Sequence, residues 1–257
     1  MLKEIGSVFS FLTIIPTASS NLETVAKYMY LFPIVGIAIG LLVGSIGFGL
    51  SFFLDPLIVS LLVVASLTLI TGIHHTDGLA DFADGLMKKG TKEKKLAAMK
   101  DLATGSAGIV AIVLYLVGLI IAISLSTGFQ LFLAIFLSEI MAKFSMVLMA
   151  SLGKSASMGS NSPFVRLMKN RKKLAVTTII TLIPLIVLGG TTGLIIFVAC
   201  TTLTLFLVAI STRSFGGITG DVLGSTNELS RLASLFRVNH RNSCIVTNFV
   251  FKSNIII

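Results

Sequence analysis

Three aspartates in one short run are the residues of this chain best suited to chemistry. His74 to Gly85 reads HHTDGLADFADG and directly follows a long apolar stretch. On a helix, steps of about 100° per residue place Asp77, Asp81 and Asp84 within an arc of about 60°, spread over about 10 Å of axis. Three anions on one face repel one another unless a cation or a proton relieves them. Gly78 and Gly85 follow the first and third aspartates, and a residue without a side chain lets another backbone or a phosphate come close. The pattern predicts a divalent-metal site for a phosphorylated substrate. An all-oxygen ligand set favours Mg²⁺ or Mn²⁺ over zinc. A solvated helix end at a membrane surface would more ordinarily mix Lys, Ser and Glu.

Two neighbouring features belong to the same reading. His74 and His75 open the run; on a regular helix His74 lies near the aspartate face and His75 points about 160° away from Asp77. Either is a candidate general base or an interfacial residue. Further on, Gly216 to Asp221 reads GGITGD. Its glycines, Gly217 and Gly220 among them, let backbone amides turn toward an anion, and Asp221 is placed to complete a metal shell. The segment Gly153-Lys154-Ser155 lacks the upstream glycine and strand of a Walker A loop. Ser155 to Ser162 reads as a polar loop with a possible phosphate contact.

These residues sit in a chain that must be held in a membrane. Of 257 residues, 54% are hydrophobic and only 12% charged, about half the charged share of soluble domains. Mean hydropathy is +0.99. The expected fold is all-α, a polytopic integral membrane helical bundle. Runs of about 20 apolar residues cross the hydrocarbon, and about six are present, near 30–50, 57–73, 107–125, 129–152, 174–188 and 193–212. No polar stretch is long enough for a second core, so residues 1–257 read as a single membrane-embedded catalytic domain. Residues 5–16 read as a short interfacial or re-entrant helix ending at Pro16 rather than a cleaved signal.

Charge placement sets the orientation. The net charge of +9 is distributed in segments between apolar runs, which argues for topology and against nucleic acid. Lysines 88 to 100 follow the second run, Lys154 to Lys173 the fourth, and Arg213, Arg231, Arg237 and Arg241 the sixth, while the alternate connections carry no Lys or Arg. Both termini, the aspartate run and GGITGD then lie on the cytoplasmic side of the cell membrane. Glycines 36, 40 and 44 predict close helix packing. Glu139 and Lys143, four residues apart within an apolar run, are expected to neutralise each other. Cys200 and Cys244 supply neither a disulfide framework nor a zinc quartet.

The motifs together resemble those of the adenosylcobinamide-GDP ribazoletransferase, or cobalamin 5'-phosphate synthase, family. The resemblance is carried by HTDGLADFADG (75–85), MKDLATGSAG (99–108) and GGITGDVLGSTNEL (216–229), with FLTIIP (11–16) and FPIVGIAIG (32–40) resembling the family's opening. It implies a Mg²⁺-dependent phosphotransferase that joins adenosylcobinamide-GDP to α-ribazole or its 5'-phosphate, releasing GMP, in the last steps of cobalamin biosynthesis. On that resemblance Asp77, Asp81, Asp84 and Asp221 hold metal and His75 is the selected histidine. Gly78, Gly85, Asp101, Gly105, Gly217 and Gly220 border the substrate. The family commonly has a basic residue where Ile14 stands, and from about residue 236 the tail departs from the apolar closing segment expected. Two other classes compete. A CDP-alcohol phosphotransferase of lipid synthesis uses a related aspartate-glycine helix but spaces two further aspartates along the next one. A cation transporter would carry its carboxylates at mid-membrane.

Overall fold

Close approach at glycine organises the bundle. In the computed structural model, which describes residues 2–18, 21–156 and 162–253 and their side chains over 3–18, 21–156 and 163–236, eleven α-helices are present among the described residues. They are α1 (Leu2–Leu12), α2 (Leu22–Tyr28), α3 (Phe32–Leu50), α4 (Pro56–Thr71), α5 (His74–Met87), α6 (Lys92–Ala98), α7 (Ser106–Ser124), α8 (Gly128–Leu152), α9 (Ser162–Met168), α10 (Arg171–Phe215) and α11 (Gly220–Ser253). A single 3-10 turn, Met29–Leu31, links α2 to α3.

Helix α8 is the axis, buried along almost its whole length from Leu131 to Ala150. Helix α3 lies antiparallel on it. A Cβ at Gly36 would come within 2.6 Å of the Glu139 carbonyl oxygen, one at Gly40 within 2.9 Å of the Phe136 Cα, and one at Gly44 within 3.0 Å of the Phe132 ring. In hydrocarbon, where apolar burial gives helices little reason to associate, such backbone-to-backbone packing holds the pair. The glycine stripe therefore does the work its spacing predicts.

Four helical stretches are long and apolar enough to cross a membrane: Leu22–Leu50, Ser106–Ser124, Gly128–Leu152 and Arg171–Phe215. A fifth is reached if α4 and α5 are taken together, but the two are bent by 94°. The bend follows from Gly72, whose φ of 69° ends α4. Helix α5 thus leaves the line of α4 and carries its aspartates sideways from it. The expected count of about six rested on splitting residues 174–212 in two. Helix α10 runs through that stretch without a loop, yet its backbone breaks at Gly190 (φ 55°, ψ −131°). A Cβ on Gly193 would meet the backbone of Leu185. Eight residues apart on a straight helix are about 12 Å apart along the axis, so the two arms of α10 fold against each other.

Helix α1 is shorter than the run ending at Pro16 predicts. It stops at Leu12, and the following segment returns across it, with Thr17 Oγ1 donating to the Gly6 carbonyl at 2.6 Å. Near the other end, the loop after α8 pairs with the segment before α11: Ile218 N donates to the Lys154 carbonyl at 2.7 Å and Ala156 N to the Ile218 carbonyl at 3.1 Å. Side chains of the tail beyond residue 236, Cys244 included, lie outside the described residues, as do positions 157–161 of the polar loop; the backbone of α11 continues to Ser253.

Candidate active site

Helix α5 presents the acids, and α11 brings the fourth. The two helices run antiparallel and touch at glycines on both sides. A Cβ on Gly78 would stand 3.0 Å from the Asp221 Cα, and one on Gly224 would stand 3.2 Å from the Cα of His75. Asp221 lies in the first turn of α11 behind a Thr219 cap, with the Thr219 hydroxyl 3.2 Å from its Oδ2. Asp77 is exposed, while Asp81, Asp84 and Asp221 are half-buried.

The electrostatics register the crowding. The Asp81 carboxyl is pushed up to about 6, first by burial and then by the charges of Asp221, Asp77 and Asp84. Asp221 is raised as well, by burial and by Asp77, against the pull of the Thr219 hydroxyl, its own backbone and Lys100. Four acids thus act on one another, as the helical spacing and the distant GGITGD motif together suggested.

Asp84 has a second employment. Its Oδ2 accepts the Gly105 amide at 2.7 Å and its Oδ1 the Gly108 amide at 2.9 Å. Those are orphan donors at the N-terminus of α7, so this carboxylate caps a helix from 21 and 24 residues upstream. Gly105 and Gly108 have to be glycine there, since a Cβ at either would fall within 2.6 Å of an Asp84 carboxylate oxygen. The remaining motif glycines are also packing contacts. Gly85 receives Met99, and Gly217 lies against the backbone of residues 154–156, whereas a Cβ on Gly220 would meet open space. Asp101 is exposed and accepts the Ala103 amide at 3.1 Å, bracing its own loop.

As a ligand set, Asp77, Asp81 and Asp221 retain free carboxylate chemistry of the hard-oxygen kind. Among the described residues no three His, Cys, Asp or Glu side chains are already drawn together at ion-holding geometry. The donors fit a hard divalent cation by type, and the mutual repulsion felt at Asp81 is the feature a cation would relieve.

Beneath the acids is a buried charge network that the sequence did not announce. Glu139 and Lys143 lie 3.6 Å apart on α8, but they are only half of it. Arg231 of α11 forms ion pairs with both Glu139 and Glu228 and donates to the Tyr115 hydroxyl at 2.9 Å; that hydroxyl donates to Glu228. Lys143 Nζ donates to Asn227 Oδ1 at 2.7 Å. Arg231 is 2% exposed, so it is no cytoplasmic loop charge as its place after the sixth apolar run suggests. Two anions and two cations balance inside the bundle, which meets the requirement that intramembrane charges be paired. His75 lies on the edge of this network, its Nδ1 4.0 Å from Glu228 and without a hydrogen-bond partner. His74 is exposed.

Two concavities flank the acids. One, of about 260 Å³, is walled by Phe11, Phe32, Phe164, Met29 and Met146, with His74, His75 and Asp221 also on its lining. The other, a groove of about 540 Å³, is bordered by Asp84, Asp101 and Gly105 together with Lys88 and Lys94. One side of the site is apolar and aromatic, the other polar, with two lysines facing two aspartates.

Comparison with known proteins identifies the family. The family model described as Cobalamin-5-phosphate synthase matches residues 4–238. A protein of Methanocella arvoryzae named adenosylcobinamide-GDP ribazoletransferase is 33% identical over 253 residues, covering 91% of this chain and 94% of its own. Its namesake in Archaeoglobus fulgidus is 34% identical, over 91% of this chain and 96% of its own, and that of Pyrococcus abyssi 32%, over 89% and 94%. These names favour neither the CDP-alcohol phosphotransferase nor the transporter. No solved structure matches the chain.

Proposed function

Because the chain belongs to the cobalamin-5-phosphate synthase family, we propose that it is an adenosylcobinamide-GDP ribazoletransferase, joining adenosylcobinamide-GDP to α-ribazole or its 5'-phosphate and releasing GMP. The observation that carries this reading is the convergence of α5 and α11, which sets Asp221 against Gly78 and leaves Asp81 raised first by burial and then by the three neighbouring acids. Such a site suits a diphosphate.

Asp77, Asp81 and Asp221 would hold Mg²⁺, which supplies neutralisation of the diphosphate and of charge developing on the leaving GMP. The chain's own groups do the rest. A ribose hydroxyl of the acceptor attacks the phosphorus nearer the corrinoid, the bond from that phosphorus to the GMP oxygen breaks, and the hydroxyl proton passes to a carboxylate or to His75. Lys88 and Lys94 beside Asp84 draw the anionic donor into the groove. Asp84, through the amides of Gly105 and Gly108, and Asp101, through that of Ala103, keep the mouth of α7 in place beside the groove.

In the same reading the polypeptide crosses the cell membrane six times up to the end of α10, with the arms of α10 counted separately and α5 lying at the cytoplasmic surface. The N-terminus, α5 and the start of α11 face the cytoplasm, where nucleotide-activated substrates are made, and α11 runs from there into the bundle along α8. The basic segments around Lys88–Lys100 and Lys154–Lys173 support that orientation.

The test is direct. Purified protein in lipid nanodiscs with Mg²⁺, adenosylcobinamide-GDP and α-ribazole should release GMP, and Asp81→Asn should abolish release while the protein remains folded. Equal release by the substituted protein would overturn the assignment, and release unaffected by a chelator would overturn the role of the cation.

A further inference from the structure

The aromatic cavity beside Asp221 has a composition that selects its occupant. Phe11 lies with ring centroids 6.2 Å from Phe32 and 5.5 Å from Phe164, at tilts of 32° and 37°. Three rings on three separate segments therefore surround one space of about 260 Å³. Met29 and Met146 complete an apolar, adaptable wall. The polar lining groups are His74, His75, Asp221 and the backbone of Gly220 and Gly224, contributed by the first turn of α5 and the first two turns of α11. The remainder of the lining offers no hydrogen-bonding side chain. Resting on the ribazole-transfer reading, we infer that this cavity is the acceptor nucleoside's subsite, binding a flat, weakly polar heteroaromatic base against Phe11 and the edge of Phe164, with Phe32 buried behind them and the ribose turned toward Asp221 and His75.

The other candidate occupants fit less well. Guanine carries donors and acceptors along its edges, and burying them among phenylalanine and methionine would leave them unpaired in apolar surroundings, which is strongly unfavourable. A corrin ring is far larger than the cavity. A dimethylated benzimidazole has two apolar methyl groups and no exocyclic donor, and it stacks on aromatic rings. The donor diphosphate is then left to the polar groove that carries Lys88 and Lys94 beside Asp84.

The inference is tested with the full chain in nanodiscs and with α-ribazole as probe. Phe164→Ala removes one wall. Leu22→Trp, at a half-buried position on the rim, fills the space from its edge, and a melting temperature close to the parent's checks that the core it packs against is kept. Each should raise the KM for α-ribazole about tenfold or more, the range expected for one lost base–aromatic contact, with the KM for adenosylcobinamide-GDP within about twofold of the parent. A rise for adenosylcobinamide-GDP, alone or alongside, or no change in either, would overturn the assignment. Equilibrium dialysis of labelled α-ribazole separates this from the activity: saturable binding by the parent that Leu22→Trp abolishes supports the cavity even if no GMP is released, and binding unaltered by both substitutions refutes it. GMP release by the parent with neither substitution affecting α-ribazole would sink the subsite and leave the transferase standing.

Discussion

Asp84 grips the amide of Gly105 at 2.7 Å while Asp81, three residues earlier on the same helix, takes the combined repulsion of three other acids. Two aspartates that look equivalent in the sequence therefore have opposite energetic roles. Asp84→Asn should destabilise the protein by about 1–2 kcal/mol, because one of its oxygens becomes a donor facing a backbone donor at the start of α7. Asp81→Asn should raise the melting temperature in the absence of divalent cations, since it removes a charge the fold disfavours. Thermal unfolding of both in detergent with a chelator checks the pair, and equal shifts would contradict the distinction.

The pH dependence follows from the same residue. With its folded carboxyl near 6 and the ordinary value at 3.8, Asp81 keeps its proton in the folded state over a range where the unfolded chain has lost it. Its contribution is thus fully present below 3.8 and disappears as pH rises through about 6. Metal-free protein should lose stability over that window, Mg²⁺ should restore it above the window, and Asp81→Asn should flatten the profile. With Mg²⁺ bound the cation favours the carboxylate, so GMP release should hold down to a pH below about 6 and fall only as protons displace the metal.

Gly78→Ala probes the helix crossing. A methyl group at 3.0–3.1 Å from the Asp221 Cα and carbonyl must push α11 away by a few tenths of an ångström. Displacing one acid of the set should reduce kcat by up to about a hundredfold with little loss of folded protein. Gly220→Ala, where a Cβ meets nothing, should be close to neutral in stability and serves as the control.

Arg231→Met tests the buried network. It leaves Glu139 and Glu228 without their shared cation and should cost about 3–5 kcal/mol. Arg213→Met, at an exposed position near the end of α10, should change stability very little. If both substitutions behave alike in unfolding, Arg231 is not the centre of the network.

Much of the site was legible because its pattern is local. Three aspartates at helical spacing on α5 announce a shared face from the sequence alone, and the glycines at 36, 40 and 44 announce a close-packed one. What was illegible depended on distance along the chain. Nothing near Asp84 signals that its partners are the amides of Gly105 and Gly108, and hydropathy gives a charge no depth, so Arg231 reads like Arg213 until α11 is folded against α8. The spans near 174–188 and 193–212 were found by length, but hydropathy cannot show that they join as one helix broken at Gly190. The histidines were undecided for a similar reason: helical geometry turns His75 away from the aspartates, and only the position of α11 shows that this direction leads to Glu228 and the aromatic cavity.

The partnership of Glu139 with Arg231 spans 92 residues, which has a bearing on biogenesis. During synthesis α8 must enter the lipid with its acid matched only by Lys143, and it stays so until nearly the whole polypeptide has emerged. Delivery of α11 is then a completion signal, and a nascent product interrupted before Arg231 would expose an ill-matched carboxylate to quality-control proteases.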